Sequence, residues 1–452
     1  MIVCTSILES IGYSHIDTDR IEIYGTDPIL PTPFFIGEAG ASALAAVGYV
    51  SSELWALKTN SRQRIEISVK DAALAQRSHH YLTSLTPGDF VFWDTISGFY
   101  QTQDNRFIQF HCNFPHHKQG VLDLLGCKDD KEDVARAAKT FQALYMEETL
   151  QSSGMCARIV RSGEEWKNHP QYQAIKDLPI IEIIKLGDSS AQKLPEGERP
   201  LSGIQVLDLT RIIAGPVCGK TLAEHGADVL LITSPHLPFI RPLVIDTGHG
   251  KKAAHLDLNA LEDKEKLKKL VKNADIFCQS YRPYGLCEKG FSPEDVSQIN
   301  PSIIYVTFDA YTHLGPWSMD HGFDSLVQSA TGIALEQGDG FPEHLPAQSL
   351  DYLTGYFGAL GTMEALRRRA IHGGSYHVRV SLVKTAKWLW DLGRVTSDFK
   401  ECTIPSREEI PNLFMDIESD FSSLKALRPV LKMSETPPYY TSPPVFLGST
   451  KL

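Results

Sequence analysis

The chain has 452 residues, of which 42% are hydrophobic and 22% are charged, and its formal net charge at pH 7 is −11. This length is enough for two or three domains, and the acidic balance excludes a general electrostatic surface for nucleic acid. No run of eighteen apolar residues occurs, so we expect no membrane partner. The eight cysteines are scattered and contain no CxxC pair, which favours a reducing compartment, and we expect the cytoplasm.

Residues 1–90 contain a pattern that returns near the other end of the chain. A shift of 313 positions (351 − 38) places Glu38–Ala73 on Asp351–Ala386 without gaps. Both segments show the order helix, turn, alternating strand, helix. We therefore predict that residues 1–90 are the remnant of a first large-domain copy, in which Glu38 occupies the position of Asp351.

Residues 91–195 predict a small α+β domain. Residues 100–125 have the composition of strands and loops, and Val134–Ser153 is predicted to be a helix with Asp133 as its N-cap. Pro195–Pro200 is typical of a linker. His111-Cys112 and His116-His117 offer soft metal ligands, but their spacing matches no standard zinc arrangement, so we predict no metal site.

From Leu201 to about Phe308, short apolar runs alternate with amphipathic stretches, which is typical of a parallel sheet with crossover helices. Ala214-Gly215-Pro216 is predicted to be a turn. The predicted strands are Ile204–Leu209, Val229–Ile232, Ile276–Cys278 and Ile303–Phe308, with a helix at Val217–His225.

A second helix is predicted over Asp351–Ala370, followed by a strand at Tyr376–Ser381. We therefore place a Rossmann-like large domain at residues 196–395. Residues 396–452 form a polar, Pro-rich tail in which we expect little ordered packing. The tail ends in Thr450-Lys451-Leu452, which is similar to the Ser-Lys-Leu peroxisomal signal but differs in its first residue, so a peroxisomal location is the alternative to the cytoplasm.

Several long segments resemble the class III CoA-transferases, the family that includes formyl-CoA transferase and α-methylacyl-CoA racemase. The segments are LSGIQVLDLTRIIAGP, LAEHGADVLLI, GKKAAHLDL, ADIFCQSYRPYGLCEKGF, INPSIIYVTF, GFDSLVQSATG and the helix that begins near Asp351. The resemblance covers roughly residues 200–390, and GFYQTQDNRFIQFH resembles the family's small domain. It implies the class III CoA-transferase fold and, because the small domain precedes the clear core, a truncated tandem fusion of two copies.

The resemblance implies that Asp351 is the catalytic nucleophile, in the segment PAQSLDYLTGYFGALG. A carboxylate at the start of a helix is also oriented by backbone N–H groups, and neighbouring glycines allow close approach. Asp is a common N-cap residue, so a purely structural role is the alternative. The reaction implied is transfer of coenzyme A from an acyl-CoA to a carboxylic acid through covalent intermediates on Asp351.

The resemblance also implies which residues contact coenzyme A, which is expected as a substrate and not as a permanently bound cofactor. The loop after the first predicted strand, at Ile213 and Ala214, would offer backbone groups to the adenine. Lys251 and Arg282 would meet phosphates, and Tyr281 would pack against the nucleotide. Glu288 stands where many relatives carry Arg, which puts the pocket in doubt. The full set is Ile213, Ala214, Lys251, Tyr281, Arg282 and Lys289.

Two other functions stay open. The racemase branch pairs the aspartate with a histidine in a Gly-His-Asp sequence, whereas this chain has Gly322-Phe323-Asp324. His321 lies two residues earlier, and we expect it to serve only if the loop is rebuilt. A catalytically degenerate subunit is the second alternative, because Glu38 replaces the aspartate of the first copy. The resemblance further implies either a homodimer or an intramolecular pseudo-dimer, and a setting in specialised or secondary metabolism.

Overall fold

The computed structural model describes residues 1–84 and 91–452, so the predicted boundary after residue 90 lies outside the described residues. The helices are α1 (Ile2–Ser10), α2 (Ile36–Thr59), α3 (Val69–Ala75), α4 (Ser78–Tyr81), α5 (Pro115–Leu125), α6 (Lys131–Ala138), α7 (Ala143–Ser152), α8 (Gly163–Asn168), α9 (Pro170–Ile175), α10 (Ala214–Glu224), α11 (Arg241–Thr247), α12 (Leu261–Asn273), α13 (Pro283–Cys287), α14 (Pro293–Ile299), α15 (Asp324–Ala330), α16 (Ile333–Gln337), α17 (Ser349–His372) and α18 (Leu382–Asp391). Within the described ranges, no helix has the length and apolar character needed to cross a membrane.

Within the part of the chain that the structure describes, the strands form one large sheet and three small ones. They are β1 (Ile21–Tyr24), β2 (Ile65–Ser68), β3 (Thr83–Ser84), β4 (Gly98–Gln101), β5 (Phe107–Phe110), β6 (Ala157–Ile159), β7 (Glu182–Gly187), β8 (Gln205–Leu209), β9 (Asp228–Thr233), β10 (Lys251–His255), β11 (Ile276–Gln279), β12 (Ile304–Asp309), β13 (Ser375–Ser381), β14 (Phe414–Glu418), β15 (Ser423–Leu427) and β16 (Lys432–Met433).

The large sheet has the order β10-β9-β8-β11-β12-β13-β7. Its first six strands are parallel, and β7 runs antiparallel to β13 at the edge. The central strand β11 is buried at every residue, as expected when helices cover both faces of a parallel sheet. This topology confirms the predicted α/β class, a Rossmann-like large domain with a smaller α+β domain. The predicted turn at residues 214–216 is instead the first turn of α10.

The internal repeat is present as structure. Helices α2 and α17 both have 24 residues, and the same shift of 313 positions places Ile36 on Ser349 and Thr59 on His372. Each helix is followed by a strand and then another helix, and β1 pairs parallel with β2 as β12 pairs with β13. The recurrence of these elements supports the predicted duplication.

Residues 1–84 share one hydrophobic core with the large domain. Leu44 and Val47 of α2 belong to the same buried cluster as Leu353 and Leu360 of α17. Helices α2 and α17 pack against each other. The remnant of the first copy is therefore part of the large domain's packing and not a separate unit.

The small domain is built on the antiparallel sheet β4-β5-β6, and its own core extends from Ile96 to Ala157. The single helix predicted over residues 134–153 is wrong, because α6 ends at Ala138 and α7 begins at Ala143. The N-cap is Asp130, whose carboxylate accepts two backbone hydrogen bonds, and not Asp133. Strand β7 joins the large sheet, so the predicted boundary at residues 195 and 196 does not coincide with the edge of that sheet.

The expectation of little ordered packing after residue 395 is wrong. Strands β14 and β15 form a hairpin that pairs with β3, and β16 pairs with β2. Side chains add to this attachment: the indole N–H of Trp55 donates to Glu435 over 2.8 Å, and Gln63 donates to Thr436 over 2.7 Å. The tail is ordered because residues 1–84 supply the strands and side chains it needs.

Candidate active site

Asp351 lies in the first turn of α17, and it is 7% exposed. Its backbone N–H donates to Oδ2 of Asp324 over 3.0 Å. Its carboxylate accepts a hydrogen bond from the backbone N–H of Ala214, at the start of α10. The side chain of Asp324 thus fixes the backbone of Asp351 at the start of α17, and the start of α10 orients its carboxylate.

Two carboxyl groups are buried together at this point. Burial, and secondly the neighbouring Asp324, raises the pKa of Asp351 well above that of an ordinary aspartate, and the Ala214 hydrogen bond opposes this shift. Burial raises the pKa of Asp324 to about 6. The side-chain amide N–H of Gln328 donates to Oδ1 of Asp324. The side-chain oxygen Oε1 of Gln328 accepts from the backbone N–H of Leu345 over 2.8 Å. A larger fraction of Asp351 is therefore protonated at neutral pH than in an exposed aspartate, and the ionised form is poorly solvated and reactive.

A cavity of about 390 Å³ opens at Asp351. One wall comes from loops that follow strands of the large sheet, and the other comes from the small domain and the loop before α15. The lining includes Asp351, Thr354, Arg211, Ile212, Ala214, Ser280, Tyr281, Arg282, Tyr311, Phe114, His116, His117, Cys156, His321 and Phe323.

The first wall follows from the topology of the sheet, because the carboxyl ends of neighbouring parallel strands meet at one edge. The loop after β8 contains Ile212, which has a φ of +73°, an uncommon conformation for a β-branched residue. The loop after β11 is joined to it, since the backbone N–H of Arg211 donates to Oγ of Ser280 over 3.2 Å. Two adjacent strand-end loops therefore form one continuous surface beside Asp351.

Residues 201–408 match the sequence profile of CoA-transferase family III. That region belongs to CoA-transferase family III. The chain is similar to acetyl-coenzyme A transferase nodX of Hypoxylon pulicicidum, with 31% identity over 322 residues that cover 65% of this chain and 54% of the relative. It is also similar to an acyl-CoA transferase of Gibberella moniliformis, with 28% identity over 412 residues that cover 80% and 72%.

Among solved structures, the crystal structure of hypothetical protein Rv3272 from Mycobacterium tuberculosis aligns with a TM-score of 0.41 and 28% identity. That alignment covers 43% of this chain and 59% of the Mycobacterium chain. The chain spans about half the length of the Hypoxylon relative. The family III assignment therefore rests on the sequence profile and the curated relatives, and the fold class rests on the sheet topology.

Three of the predicted coenzyme A contacts line the cavity. Ala214 and Tyr281 belong to the two strand-end loops, and the exposed Arg282 follows Tyr281. Ile213 is the N-cap residue of α10 and is buried directly beside them. Their contacts with coenzyme A remain predictions.

The two predicted lysines lie elsewhere. Lys251 is 2% exposed, and its Nζ donates to Oδ2 of Asp208 over 2.8 Å and to the carbonyl of Pro216 over 2.7 Å. It therefore links β10 to β8 and to the first turn of α10 and does not line the cavity. Lys289 donates to the side chain of Asn259 over 2.7 Å and is also outside the lining. We therefore leave both out of the proposed contacts.

Arg211 is a cavity residue that the sequence did not single out. Its guanidinium donates to the carbonyl of Pro238 and lies 5.5 Å from the ring centre of Phe114. Burial lowers its pKa. Its position directly after a predicted strand is the signal that could have identified it, since ligands bind at the carboxyl ends of parallel strands.

The second wall contains the residues that replace the racemase motif. Phe323 stacks on His111, with ring centres 4.0 Å apart and an interplanar angle of 14°. His321 also lines the cavity. The fold places His321 on the lining of the cavity that Asp351 borders, and its role as a second acid/base group stays a prediction.

Proposed function

We propose that this chain transfers coenzyme A from an acyl-CoA donor to a carboxylic acid, with Asp351 as the nucleophile. The observation that carries the proposal is the position of Asp351, a buried and oriented carboxylate at the edge of a cavity of about 390 Å³. The names of the curated relatives, an acetyl-coenzyme A transferase and an acyl-CoA transferase, support the same chemistry.

The reaction begins when the Asp351 carboxylate attacks the thioester carbonyl of the donor. The carbon–sulfur bond breaks, the coenzyme A thiolate leaves, and a mixed anhydride forms. The thiolate then attacks the Asp351 carbonyl of the anhydride, which releases the donor acid and leaves an aspartyl thioester. The acceptor carboxylate attacks that thioester, a second anhydride forms, and the returning thiolate takes the acceptor acyl group and frees Asp351.

The residues around Asp351 suit these steps. The Ala214 backbone N–H that holds the carboxylate can also donate to the oxygen on which negative charge develops. Arg211 and Arg282 line the same cavity and offer positive charge to the phosphates of coenzyme A. Phe114 and Phe323, on the second wall of the cavity, exclude water from the anhydride, which water would otherwise hydrolyse.

Covalent trapping tests the proposal. The protein is incubated with a panel of acyl-CoA donors and then treated with hydroxylamine, which converts an aspartyl thioester or anhydride to a hydroxamate. Peptide mass spectrometry should find one modified residue per chain, Asp351. Absence of that modification, together with full transfer activity in Asp351→Ala, would overturn the proposal.

Glu38→Gln is the matched control. The backbone N–H of Glu38 donates to Oδ2 of Asp27 over 2.8 Å, which repeats the contact between Asp351 and Asp324 in the first copy. If the chain has one working site, Glu38→Gln should give the same hydroxamate on Asp351 and the same rate as wild type. A second modified residue at Glu38 would show two sites.

Racemisation is the second candidate, favoured by His321. Nε2 of His321 is buried without a hydrogen-bond partner in the described part of the chain, and it lines the cavity of Asp351. A histidine nitrogen without a protein partner, on a residue that lines the cavity of Asp351, could remove and return a proton next to a thioester. Loss of an α-deuterium from a 2-methylacyl-CoA to water would support this function, and retention of the label during transfer would exclude it.

A further inference from the structure

Three potential metal ligands from separate parts of the chain meet on the second wall of the cavity. His117 is on α5, Cys156 directly precedes β6, and His321 is in the loop before α15. One ligand atom from each lies within 4.8 Å of the other two. Sγ of Cys156 and Nε2 of His117 are 3.6 Å apart. These distances define a compact set of two nitrogens and one sulfur.

Nε2 of His117 is within weak hydrogen-bond distance of Sγ of Cys156 and would exchange that contact for a metal bond, whereas one ring nitrogen of each histidine has no partner among the described residues. Nδ1 of His117 and Nε2 of His321 are buried without hydrogen-bond partners among the described residues. His321 is hydrogen-bonded to the backbone of Gly154, and because its Nε2 has no partner, this bond belongs to Nδ1. Nδ1 then carries the proton, which leaves the lone pair on Nε2. A histidine fixed in this way by a backbone carbonyl is the usual arrangement of a metal ligand.

The distances fit a small soft cation. Zinc bonds to histidine nitrogen and cysteine sulfur of about 2.0–2.3 Å place neighbouring ligand atoms of a tetrahedral site about 3.5 Å apart. The pair Cys156 and His117 already has this separation. The widest separation in the set, at most 4.8 Å, has to shorten by up to about 1.3 Å to meet the same tetrahedral geometry.

The charges near the cluster are mixed. Burial is the main cause that lowers the pKa of His117 and of His321. Arg282 acts in the same direction on both, and Asp320 opposes the shift of His321. Burial raises the pKa of the Cys156 thiol, which disfavours the thiolate, while Arg158 and Arg282 oppose that shift. The guanidinium groups repel a dication, whereas Asp320 attracts it. We therefore expect measurable binding that is weaker than in a closed structural zinc site.

We propose that His117, Cys156 and His321 bind a thiophilic divalent cation of the Zn²⁺ class, with the fourth ligand position open to the cavity that Asp351 borders. On binding, the Cys156 thiol loses its proton to solvent and a metal–thiolate bond forms. Two imidazoles and one thiolate with an open fourth position is a ligand set found in catalytic zinc sites. The site does not depend on the proposed transfer reaction, because metal binding can be measured without turnover.

Titration of the full chain with Co²⁺ and Zn²⁺ tests the site. The protein is first freed of metal by dialysis against a chelator. Co²⁺ should then bind with one ion per chain and show a thiolate-to-cobalt charge-transfer absorption, and Zn²⁺ should displace it. A Co²⁺ spectrum with only nitrogen and oxygen ligands would overturn the proposal, and this result needs no variant.

Variants locate the site. Cys156→Ser and His321→Ala should each weaken Zn²⁺ binding at least about tenfold, since loss of a ligand costs no less than loss of its supporting contacts. Cys4→Ser is the matched control, because Cys4 is equally buried but lies on α1, among residues that do not line the cavity. If the Cys156 and His321 variants fold and bind Zn²⁺ as wild type does, the ion binds elsewhere and the proposal is wrong.

Discussion

Asp351 combines the proposed catalytic role with a cost to stability, and this leads to the first prediction. Its pKa is raised in the folded chain, so the native state holds a proton that the unfolded chain releases, and stability from this group falls as pH rises above the ordinary aspartate pKa. Asp351→Asn removes that cost and keeps an acceptor for the Ala214 N–H. We expect transfer to fall by about three to four orders of magnitude, as for other covalent catalytic groups.

Thermal unfolding of Asp351→Asn checks the cost to stability. The variant should have a higher Tm than wild type at pH 8. The difference in Tm should shrink toward pH 4, where the side chain at position 351 is uncharged in the native state of both proteins. Equal Tm values at both pH values would show that Asp351 is not held in an unfavourable environment.

Substitutions of Lys251 and Arg282 should have different effects, because Lys251 is proposed to have a structural role and Arg282 is proposed to contact coenzyme A. Lys251→Met leaves Asp208, which has no exposed surface, without its cation, and loss of one partner from a buried ion pair costs about 3–5 kcal/mol. Arg282 is exposed, so Arg282→Gln should leave stability unchanged and raise KM for acyl-CoA about tenfold, the loss of one charge-assisted hydrogen bond. Chemical denaturation and steady-state kinetics measure the two effects. An intact, stable Lys251→Met with a raised KM would instead make Lys251 a coenzyme A contact.

At single residues, the family resemblance predicted Asp351, Ala214 and Tyr281. The start of a helix gave a physical reason for Asp351, and the ends of strands gave one for Ala214 and Tyr281. His321 and Cys156 could not be joined by any spacing rule, because their meeting depends on how the small domain packs against the loop before α15. Lys251 was misplaced for a similar reason, since its partner Asp208 lies on another strand.

The contact between α17 and α10 is the element on which the site depends. A Cβ atom at Gly355 would lie 2.6 Å from the carbonyl oxygen of Ala214 and 2.7 Å from Cβ of Val217. Gly355→Ala should therefore force the helices apart and displace the Ala214 N–H from Asp351. We expect a loss of about 1–3 kcal/mol of stability, the usual effect of overpacking, and a fall in kcat greater than the rise in KM.

Gly120→Ala is the control for this substitution. Gly120 is also a helical glycine, but the closest atoms to its added Cβ belong to the flexible side chain of Met155. Because alanine is the better helix former, Gly120→Ala should keep or slightly raise the Tm. If Gly355→Ala behaves in the same way, the close packing of α10 on α17 does not hold the site together.

Five of the seven strands of the large sheet were predicted within one residue at each end, because continuous apolar runs identify buried parallel strands. Strands β7 and β10 were not predicted, since they lie at the two edges of the sheet and are only partly buried. The break between α6 and α7 was not predicted, since the apolar spacing continues across Thr140 and Phe141 without a glycine or proline. There the backbone N–H of Phe141 bonds to the carbonyl of Ala138, which closes a turn. Tertiary packing therefore ends α6 at a point where the local apolar periodicity would allow the helix to continue.

Across the whole molecule, packing ties the first copy of the repeat to the rest of the chain. Helix α2 packs against α17, and β2 accepts β16 from the tail. The intramolecular pseudo-dimer stays a prediction, with the homodimer as its alternative. The repeat was detectable from sequence because Glu38–Ala73 aligns with Asp351–Ala386 without gaps. The docking of the tail was not, because it depends on strand pairing between residues far apart in the chain.

The attachment of the tail to α10 gives the last prediction. The hydroxyl of Tyr440 donates to Oε2 of Glu224 over 3.0 Å. Burial raises the pKa of Glu224 to about 7, while Lys220, the Tyr440 hydrogen bond and Arg199 oppose the shift. Because the pKa of Glu224 is raised in the folded chain, the contribution of Glu224 to stability falls as pH rises from the ordinary glutamate pKa through 7. The Tyr440 hydroxyl limits this loss of stability, because it stabilises the ionised carboxylate.

Tyr440→Phe should therefore steepen the fall of stability with pH. At pH 8 the variant leaves an ionised, buried carboxylate short of a donor, which costs about 1–3 kcal/mol. At pH 5, where Glu224 is protonated in the native state, the cost should be smaller. Urea unfolding at the two pH values measures the difference, and the double variant with Glu224→Gln should abolish its pH dependence. A cost that is equal at pH 5 and pH 8 would mean that Tyr440 acts through packing and not through the charge of Glu224.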